Sequence, residues 1–361
     1  MGLAVDTLEL VDFRSIEDRR IAFSPATTVL VGPNAAGKTN TVEALQMLTA
    51  GFSFRRPTPA QLVREGARAA RVSARLTGDG RVVDVRCDVS AGRRQFSRNG
   101  KKCHAPDIPG TLMSVLFTPD DLSLVKRGAS GRRDELDGFG RQANAGYSRL
   151  LAAYARAVEQ RNRLLKEERP DLGLLDAWDA SVATGGAALL YSRLRLFSRL
   201  AQKVGEAYGR IAGSEGLAWE YRSSLGDGVE GLSRAELAEL FSARLAEARP
   251  EDLRRQQTTV GPHRDDAAFI VDGRDARAFA SQGQQRSVVL ALKMAEVELC
   301  EEVTGSRPLL LLDDVMSELD ESRREAVTRL LLAGTQTVIT TTNLGYFSAG
   351  VLDGAEVVKY G

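Results

Sequence analysis

The run Gly32-Pro33-Asn34-Ala35-Ala36-Gly37-Lys38-Thr39 constrains this chain more than any other feature. It follows Thr27-Thr28-Val29-Leu30-Val31, which reads as a buried strand. It leads into Thr39 to Leu48, where Val42, Leu45 and Leu48 fall on one face of a helix. Strand, glycine loop and helix form the context in which G-x-x-x-x-G-K-[ST] grips phosphates. The glycines let the backbone curl so that several N–H groups face one anion at the positive end of the helix. Lys38 is then expected to neutralise the β and γ phosphates of ATP, and the Thr39 hydroxyl to reach Mg²⁺.

Two further segments fit such a site. Pro308-Leu309-Leu310-Leu311-Leu312-Asp313-Asp314 reads as a buried strand ending in paired carboxylates at the carboxyl edge of a sheet. Asp313 is expected to hold the Mg²⁺ shell and Asp314 to polarise the attacking water. Upstream, Ser281-Gln282-Gly283-Gln284-Gln285-Arg286 opens a helix, and small residues at a helix start suit an anion. The same residues serve an ordinary helix cap equally well. Ser317-Glu318-Leu319-Asp320 follows the Asp pair.

Along the chain, Leu8/Leu10/Phe13 and Ile21/Phe23 read as a strand hairpin, and strands continue from about Arg71 to Phe117, with a turn at Asn99-Gly100. From Leu136 to Leu245 almost everything reads as helix, an insertion of roughly 110–130 residues forming a bundle or a short antiparallel arm. Strand and helix patterns then alternate again, with a hairpin at Asp272-Gly273 and strands at Leu309–Leu312 and Thr337–Thr340. The expected division is residues 1–120 and 256–361 as two parts of one head, with residues 121–255 inserted between them.

The 361 residues carry a formal net charge of +1, so any attraction to DNA has to come from local patches. Three scattered cysteines, Cys87, Cys103 and Cys300, form no disulfide or zinc pattern and suit a reducing cytoplasm. The stretch beginning at Met1 has no basic region followed by a long apolar core, so no signal peptide is expected. No apolar run approaches the roughly 20 residues of a membrane span.

Taken together, Leu10-Val11-Asp12-Phe13-Arg14-Ser15, Gly32 to Asn40, Arg132-Arg133, Gly261-Pro262-His263-Arg264-Asp265-Asp266, Ser281 to Arg286, and Leu311 to Asp320 resemble the ABC/SMC superfamily and, within it, the RecF family. The resemblance covers nearly the whole chain. It implies an α/β P-loop ABC/SMC-type ATPase head with an inserted helical domain. It also implies that two heads sandwich ATP and Mg²⁺ as a homodimer, with Arg14 and Asn40 beside the loop. Ser281, Gly283 and Gln284 of one copy would close on the nucleotide of the other. Such proteins bind duplex and gapped DNA and help load RecA with RecO and RecR. Asp314 stands where most ABC ATPases have Glu, one methylene longer, which implies slow turnover, and the RecF resemblance implies that DNA stimulates it. No Q-loop glutamine is evident at Phe117 to Asp121, and Thr341 and Thr342 stand where transporters carry a switch histidine.

Candidate DNA contacts are Arg55 and Arg56 with Arg64, Arg68 and Arg71; Arg93 and Arg94 with Arg98, Lys101 and Lys102; and Lys126 and Arg127 with Arg132 and Arg133. Runs of charge are also common on solvated faces. His263 reads either as part of a solvated turn or as a group near the γ-phosphate. Two rival functions remain. A transporter ATPase is disfavoured by the long helical insertion and the missing histidine. A scaffold that binds ATP without useful hydrolysis stays open.

Overall fold

Alternation of apolar and polar residues builds the first sheet. The computed structural model describes residues 2–90, 92–332 and 334–361, so Met1 lies outside the described residues. Strands β1 (Ala4–Phe13) and β2 (Ile16–Ala22) form the expected hairpin, then β3 (Thr27–Val31) runs into the glycine loop. After α1 (Lys38–Ala50) and α2 (Pro59–Leu62) come β4 (Ala69–Gly78), β5 (Arg81–Ser90), β6 (Arg93–Arg98), β7 (Lys101–Cys103) and β8 (Ser114–Phe117). Six of these strands form an antiparallel sheet in the order β2-β1-β4-β5-β6-β7. Asn99 (φ 50°) and Gly100 (φ 75°) turn the β6–β7 hairpin, because both central positions need positive φ.

The chain then leaves this unit. Helices α3 (Ala129–Ala143), α4 (Ala145–Leu164) and α5 (Leu172–Ala212) lead to β9 (Leu217–Arg222) and α6 (Arg234–Arg255). Next come β10 (Asp266–Val271), β11 (Arg274–Asp275), α7 (Ala276–Phe279) and α8 (Gln282–Thr304). Strand β12 (Leu309–Asp313), α9 (Glu321–Leu332), β13 (Thr337–Thr341), α10 (Ala349–Leu352) and β14 (Ala355–Lys359) complete the fold. The second sheet is parallel, in the order β14-β3-β13-β12-β8. Its central strands β3, β13 and β12 are buried along almost their whole length, and β12 is a continuous apolar run from Leu309 to Leu312, as suits a strand covered on both faces.

The chain divides into two compact units. One comprises Met1–Ser123, Arg210–Gly213 and Arg286–Gly361 and holds both large sheets. Helix α1 touches β1, β4 and β5 of the antiparallel sheet and β8, β12 and β13 of the parallel one. It is therefore buried all round from Thr41 to Ala50, where the pattern of Val42, Leu45 and Leu48 led us to expect a single apolar face.

The other unit comprises Leu124–Gly209 and Ser214–Gln285. Its core joins Tyr154, Leu190, Leu237, Phe241 and their neighbours. Gly185 and Gly186 do not break α5. A Cβ on Gly186 would lie 2.1 Å from Phe241 Cε1, so the glycine admits the Phe241 ring to the α5 backbone. Two expectations are corrected. Residues 217–222 are a strand, not helix, because Leu217 to Arg222 pair with Val271 to Asp266 of a segment distant in sequence. For the same reason the stretch from residue 256 to Gln285 packs with this unit and not with the head.

Candidate functional site

Four features of the first unit converge at the carboxyl ends of β3 and β12. Gly37 turns into α1 with φ 97°, a conformation that favours glycine, and no side chain caps the helix start. The first N–H groups of α1 are thus left for an anion, with the helix dipole behind them. Lys38 is 7% exposed, and its ammonium donates to the loop's own carbonyls at Gly32 and Pro33, both at 2.7 Å. Ala35 is also left-handed, at φ 65°.

The Thr39 hydroxyl donates to Asp313 Oδ1 at 2.9 Å. Thr340, paired with Asp313 across β12 and β13, donates to the same oxygen at 2.7 Å. Burial raises the Asp313 carboxyl above its ordinary value, and these two hydroxyls pull it back down. The backbone of Asp314 lies at φ 52°, and its N–H donates to Thr340 Oγ1 at 2.9 Å. Its Oδ1 is buried without a hydrogen-bond partner. Burial and the neighbouring Asp313 both raise the Asp314 carboxyl, against the pull of Lys38. Thr340 escaped the sequence reading, since nothing marks it out from the other threonines of Thr337 to Thr342.

Arg14 and Asn40 are held from behind the loop. Arg14 Nε and Nη2 donate to Glu43 at 2.9 and 2.6 Å, and Nη1 donates to Gln61 O at 2.8 Å. Glu43 is fully buried and also accepts from Ser53 Oγ at 2.6 Å and Arg55 Nη1 at 3.2 Å. Arg55 donates to Asn40 Oδ1 at 2.9 Å, and Asn40 donates to Ser15 Oγ at 2.9 Å. Glu43 is the second residue that sequence reasoning missed. An acidic residue on a helix gives no sign of burial until its arginine partners are placed.

In the second unit, Ser281 and Gln284 form a reciprocal cap on α8. Ser281 N–H donates to Gln284 Oε1 at 2.9 Å, and Gln284 N–H donates to Ser281 Oγ at 3.2 Å. Ser281 is exposed, Gly283 is partly buried beside it, and Gln284 Nε2 donates to Glu215 at 3.1 Å.

His263 belongs to the interior of that unit. Tyr154 OH lies 2.7 Å from its Nδ1, and its Nε2 lies 3.1 Å from the Thr258 carbonyl. A carbonyl only accepts, so Nε2 carries the proton and Nδ1 accepts from the phenol. Burial lowers the His263 pKa to about 4, so the ring is neutral at pH 7. The solvated-turn reading is thereby corrected.

The arginine patches do not survive as three clusters. Arg132 is 3% exposed, donates to both oxygens of Asp266 at 2.8 Å, and caps the Val125 and Arg127 carbonyls. Arg133 donates to the Asp265 carbonyl at 2.5 Å. Both are structural, and only Lys126 and Arg127 of that group are exposed. Arg64 pairs with Asp12 at 2.7 Å and Arg71 with Asp88 at 3.0 Å, while Arg56 and Arg68 are exposed. On the β6–β7 hairpin, the register opposes Arg98 to Lys101 and Ser97 to Lys102. Strand alternation therefore puts Arg94, Arg98 and Lys101 on one face and Arg93 with Lys102 on the other.

A family model described as the RecF/RecN/SMC N terminal domain matches residues 4–355. The DNA replication and repair protein RecF of Symbiobacterium thermophilum is 43% identical over 349 residues, covering 94% of this chain and 92% of that one. The protein of the same name from Frankia alni is 38% identical, covering 92% of each. Among solved structures, a recombination mediator protein described as RecF-ATPrS in the RecFOR pathway superposes with a TM-score of 0.90. It is 31% identical and covers 96% of this chain and 94% of that one. A Smc head domain from Pyrococcus furiosus, 17% identical with a TM-score of 0.56 and covering 99% and 93%, shares the fold. No described helix is long and apolar enough to cross a membrane. A glycine loop leading into a helix packed between two sheets, a carboxylate pair at the end of β12 and near full-length relatives all agree, and the chain belongs to the RecF family of ABC/SMC-type ATPases.

Proposed function

We propose that this chain binds ATP on Gly32–Thr39, dimerises on it, and in that state binds DNA during recombinational repair in the cytoplasm. The observation that carries the reading is the 2.9 Å hydrogen bond from Thr39 to Asp313 beside the uncapped start of α1. Thr39 Oγ1, the Asp313 carboxylate and the unpartnered Asp314 Oδ1 offer hard oxygen donors, which fit Mg²⁺. Thr39 and Asp313 would hold the ion, which would supply positive charge to offset that of the phosphates.

The protein's own groups do the rest. Lys38 exchanges the Gly32 and Pro33 carbonyls for phosphate oxygens. Asp314 orients the attacking water and takes its proton, a role that its raised pKa suits. Arg14 from the β1–β2 turn and Asn40 from α1, fixed through Glu43 and Ser15, support the nucleotide. Ser281, Gly283 and Gln284 of a second copy close on the γ-phosphate, so ATP joins the heads and hydrolysis frees them. The shorter carboxylate at Asp314 makes turnover slow, which suits a switch, and DNA binding to the dimer stimulates it. The ATP-held dimer binds at junctions of single- and double-stranded DNA and assists RecA loading with RecO and RecR. The relatives named for DNA repair and for the RecFOR pathway support this reading.

The test is fluorescence anisotropy of labelled gapped duplex, titrated with protein in ATP, in ADP and without nucleotide. Tight, salt-sensitive binding in ATP alone is expected, and Lys38→Met should abolish it. Equal binding in all three states would break the link between nucleotide and DNA. A dimer that binds DNA but releases no phosphate in a single turnover would favour the scaffold.

A further inference from the structure

Gly32 has no positive φ, so its backbone conformation does not require glycine. What excludes a side chain there is Tyr360. A Cβ on Gly32 would stand 2.1 Å from the Tyr360 carbonyl oxygen and 2.8 Å from its Cβ. Strand β14 brings Tyr360 to this point by pairing in parallel with β3 up to Lys359 opposite Val31, and Tyr360 N–H donates to Val31 O at 2.7 Å.

The side chain of Tyr360 reaches the other end of the loop. Its hydroxyl lies 2.6 Å from Thr41 Oγ1, and Thr41 Oγ1 lies 3.4 Å from the Gly37 carbonyl. A carbonyl accepts only, so the Thr41 proton goes to Gly37 and the phenol must donate to Thr41. The Gly37 carbonyl also accepts from Thr41 N–H at 3.1 Å. Peptide planarity sets the Lys38 N–H opposite the Gly37 carbonyl. Drawing that carbonyl into the helix therefore aims the Lys38 N–H out of it, into the concavity of the loop. Arg19 holds the tyrosine from outside, with its guanidinium carbon 3.4 Å from the ring centroid and Nη2 donating to Lys359 O at 2.8 Å. Tyr360 is 3% exposed and Thr41 fully buried, so water replaces neither contact.

We infer that Tyr360 is a positioning residue for the phosphate loop, bracing Gly32 through its backbone and Gly37 through Thr41 at the spacing a bound phosphate needs. The inference rests on the proposed ATP site. It makes the segment after β14 part of the nucleotide site without touching the nucleotide. Tyr360→Phe removes one hydroxyl, Thr41→Val removes the relay, and a double variant removes both.

The experiment measures the dissociation constant of a fluorescent ATP analogue with Mg²⁺, and the melting midpoint without nucleotide, for each protein. Each single variant should weaken binding about fivefold to tenfold, the scale of one missing buried hydrogen bond. The double variant should be no weaker than the worse single one, because the two groups act in series. Melting midpoints that fall while affinity stays within about twofold of the parent would make Tyr360 a stabilising contact only and overturn the inference. Additive losses would overturn the relay through Thr41. A parent protein that does not bind the analogue would remove the ATP site itself, an outcome distinct from either.

Discussion

Asp314 occupies a left-handed conformation at φ 52° that aspartate and asparagine tolerate better than most residues. Asparagine can therefore replace it without backbone strain. Burial and Asp313 raise its carboxyl above 3.8, so the folded state disfavours the charged form. That penalty is absent below the ordinary carboxyl range and fully present above the raised value. Asp314→Asn should thus stabilise the nucleotide-free protein at pH 8, by about 1 kcal/mol or less given partial solvent screening. The gain should vanish as the pH falls towards 4, and urea unfolding at the two pH values reads it. The same variant should lose phosphate release. A variant less stable at pH 8 would show that the Asp314 charge is satisfied in the fold. At this scale the sequence was partly legible. Asp313 and Asp314 announce themselves by following four leucines. Thr340 and Glu43 do not, because their roles depend on partners across the sheet or from other loops.

Among the elements, the connection from Thr258 to Asp266 departs most from its appearance in sequence. Gly-Pro-His-Arg-Asp-Asp looks like a solvated turn, yet it threads a buried polar network. Asp265 accepts from Tyr221 OH at 2.7 Å and Ser224 Oγ at 2.8 Å. Arg193 binds Asp137 and donates to the Pro262 carbonyl at 2.7 Å. Arg161 joins Asp252 and Thr258 at 2.6 and 2.9 Å. Burying such charges stabilises only when each finds partners, so the network defines one arrangement of α4, α5 and α6 around the connection. Within it, burial, with Arg264, Arg133 and Arg193 nearby, lowers His263 from 6.5 to about 4. The unfolded chain then binds the proton more readily. Stability from the neutral ring is complete above pH 6.5 and is lost as the pH falls from there towards 4. The loss is on the order of 3 kcal/mol. His263→Gln should be less stable than the parent at pH 7.5, with the difference shrinking as the pH falls to 4.5. Urea denaturation curves with the same separation at both pH values would show that the ring is not held neutral.

For the whole molecule, what was legible followed from local pattern. The glycine loop, the hairpins at Asn99 and Asp272 and the helix at Glu321 each lie within one stretch of sequence. Strand β9 was hidden, because pairing with β10 and not its own periodicity makes Leu217 to Arg222 a strand. The arginines illustrate the same limit. Arg93 and Arg132 both stand in basic pairs, but Arg132 meets Asp266 from 134 positions away and is interior, while Arg93 and Arg94 remain exposed on β6. With a net charge of +1, the proposed DNA binding would have to draw on exposed basic residues of this kind. Arg93→Glu with Arg94→Glu should therefore leave the unfolding midpoint near that of the parent and weaken ATP-dependent DNA binding. It should also flatten the plot of log affinity against log salt by about one unit for each phosphate that the protein no longer neutralises. Arg132→Gln should do the opposite. It strands Asp266 and the Val125 and Arg127 carbonyls, costing about 3 kcal/mol of stability, while the folded fraction keeps the parent's salt slope. If Arg132→Gln flattened the slope and the Arg93 and Arg94 reversals did not, the DNA surface would lie on the inserted unit and not on the β6–β7 hairpin.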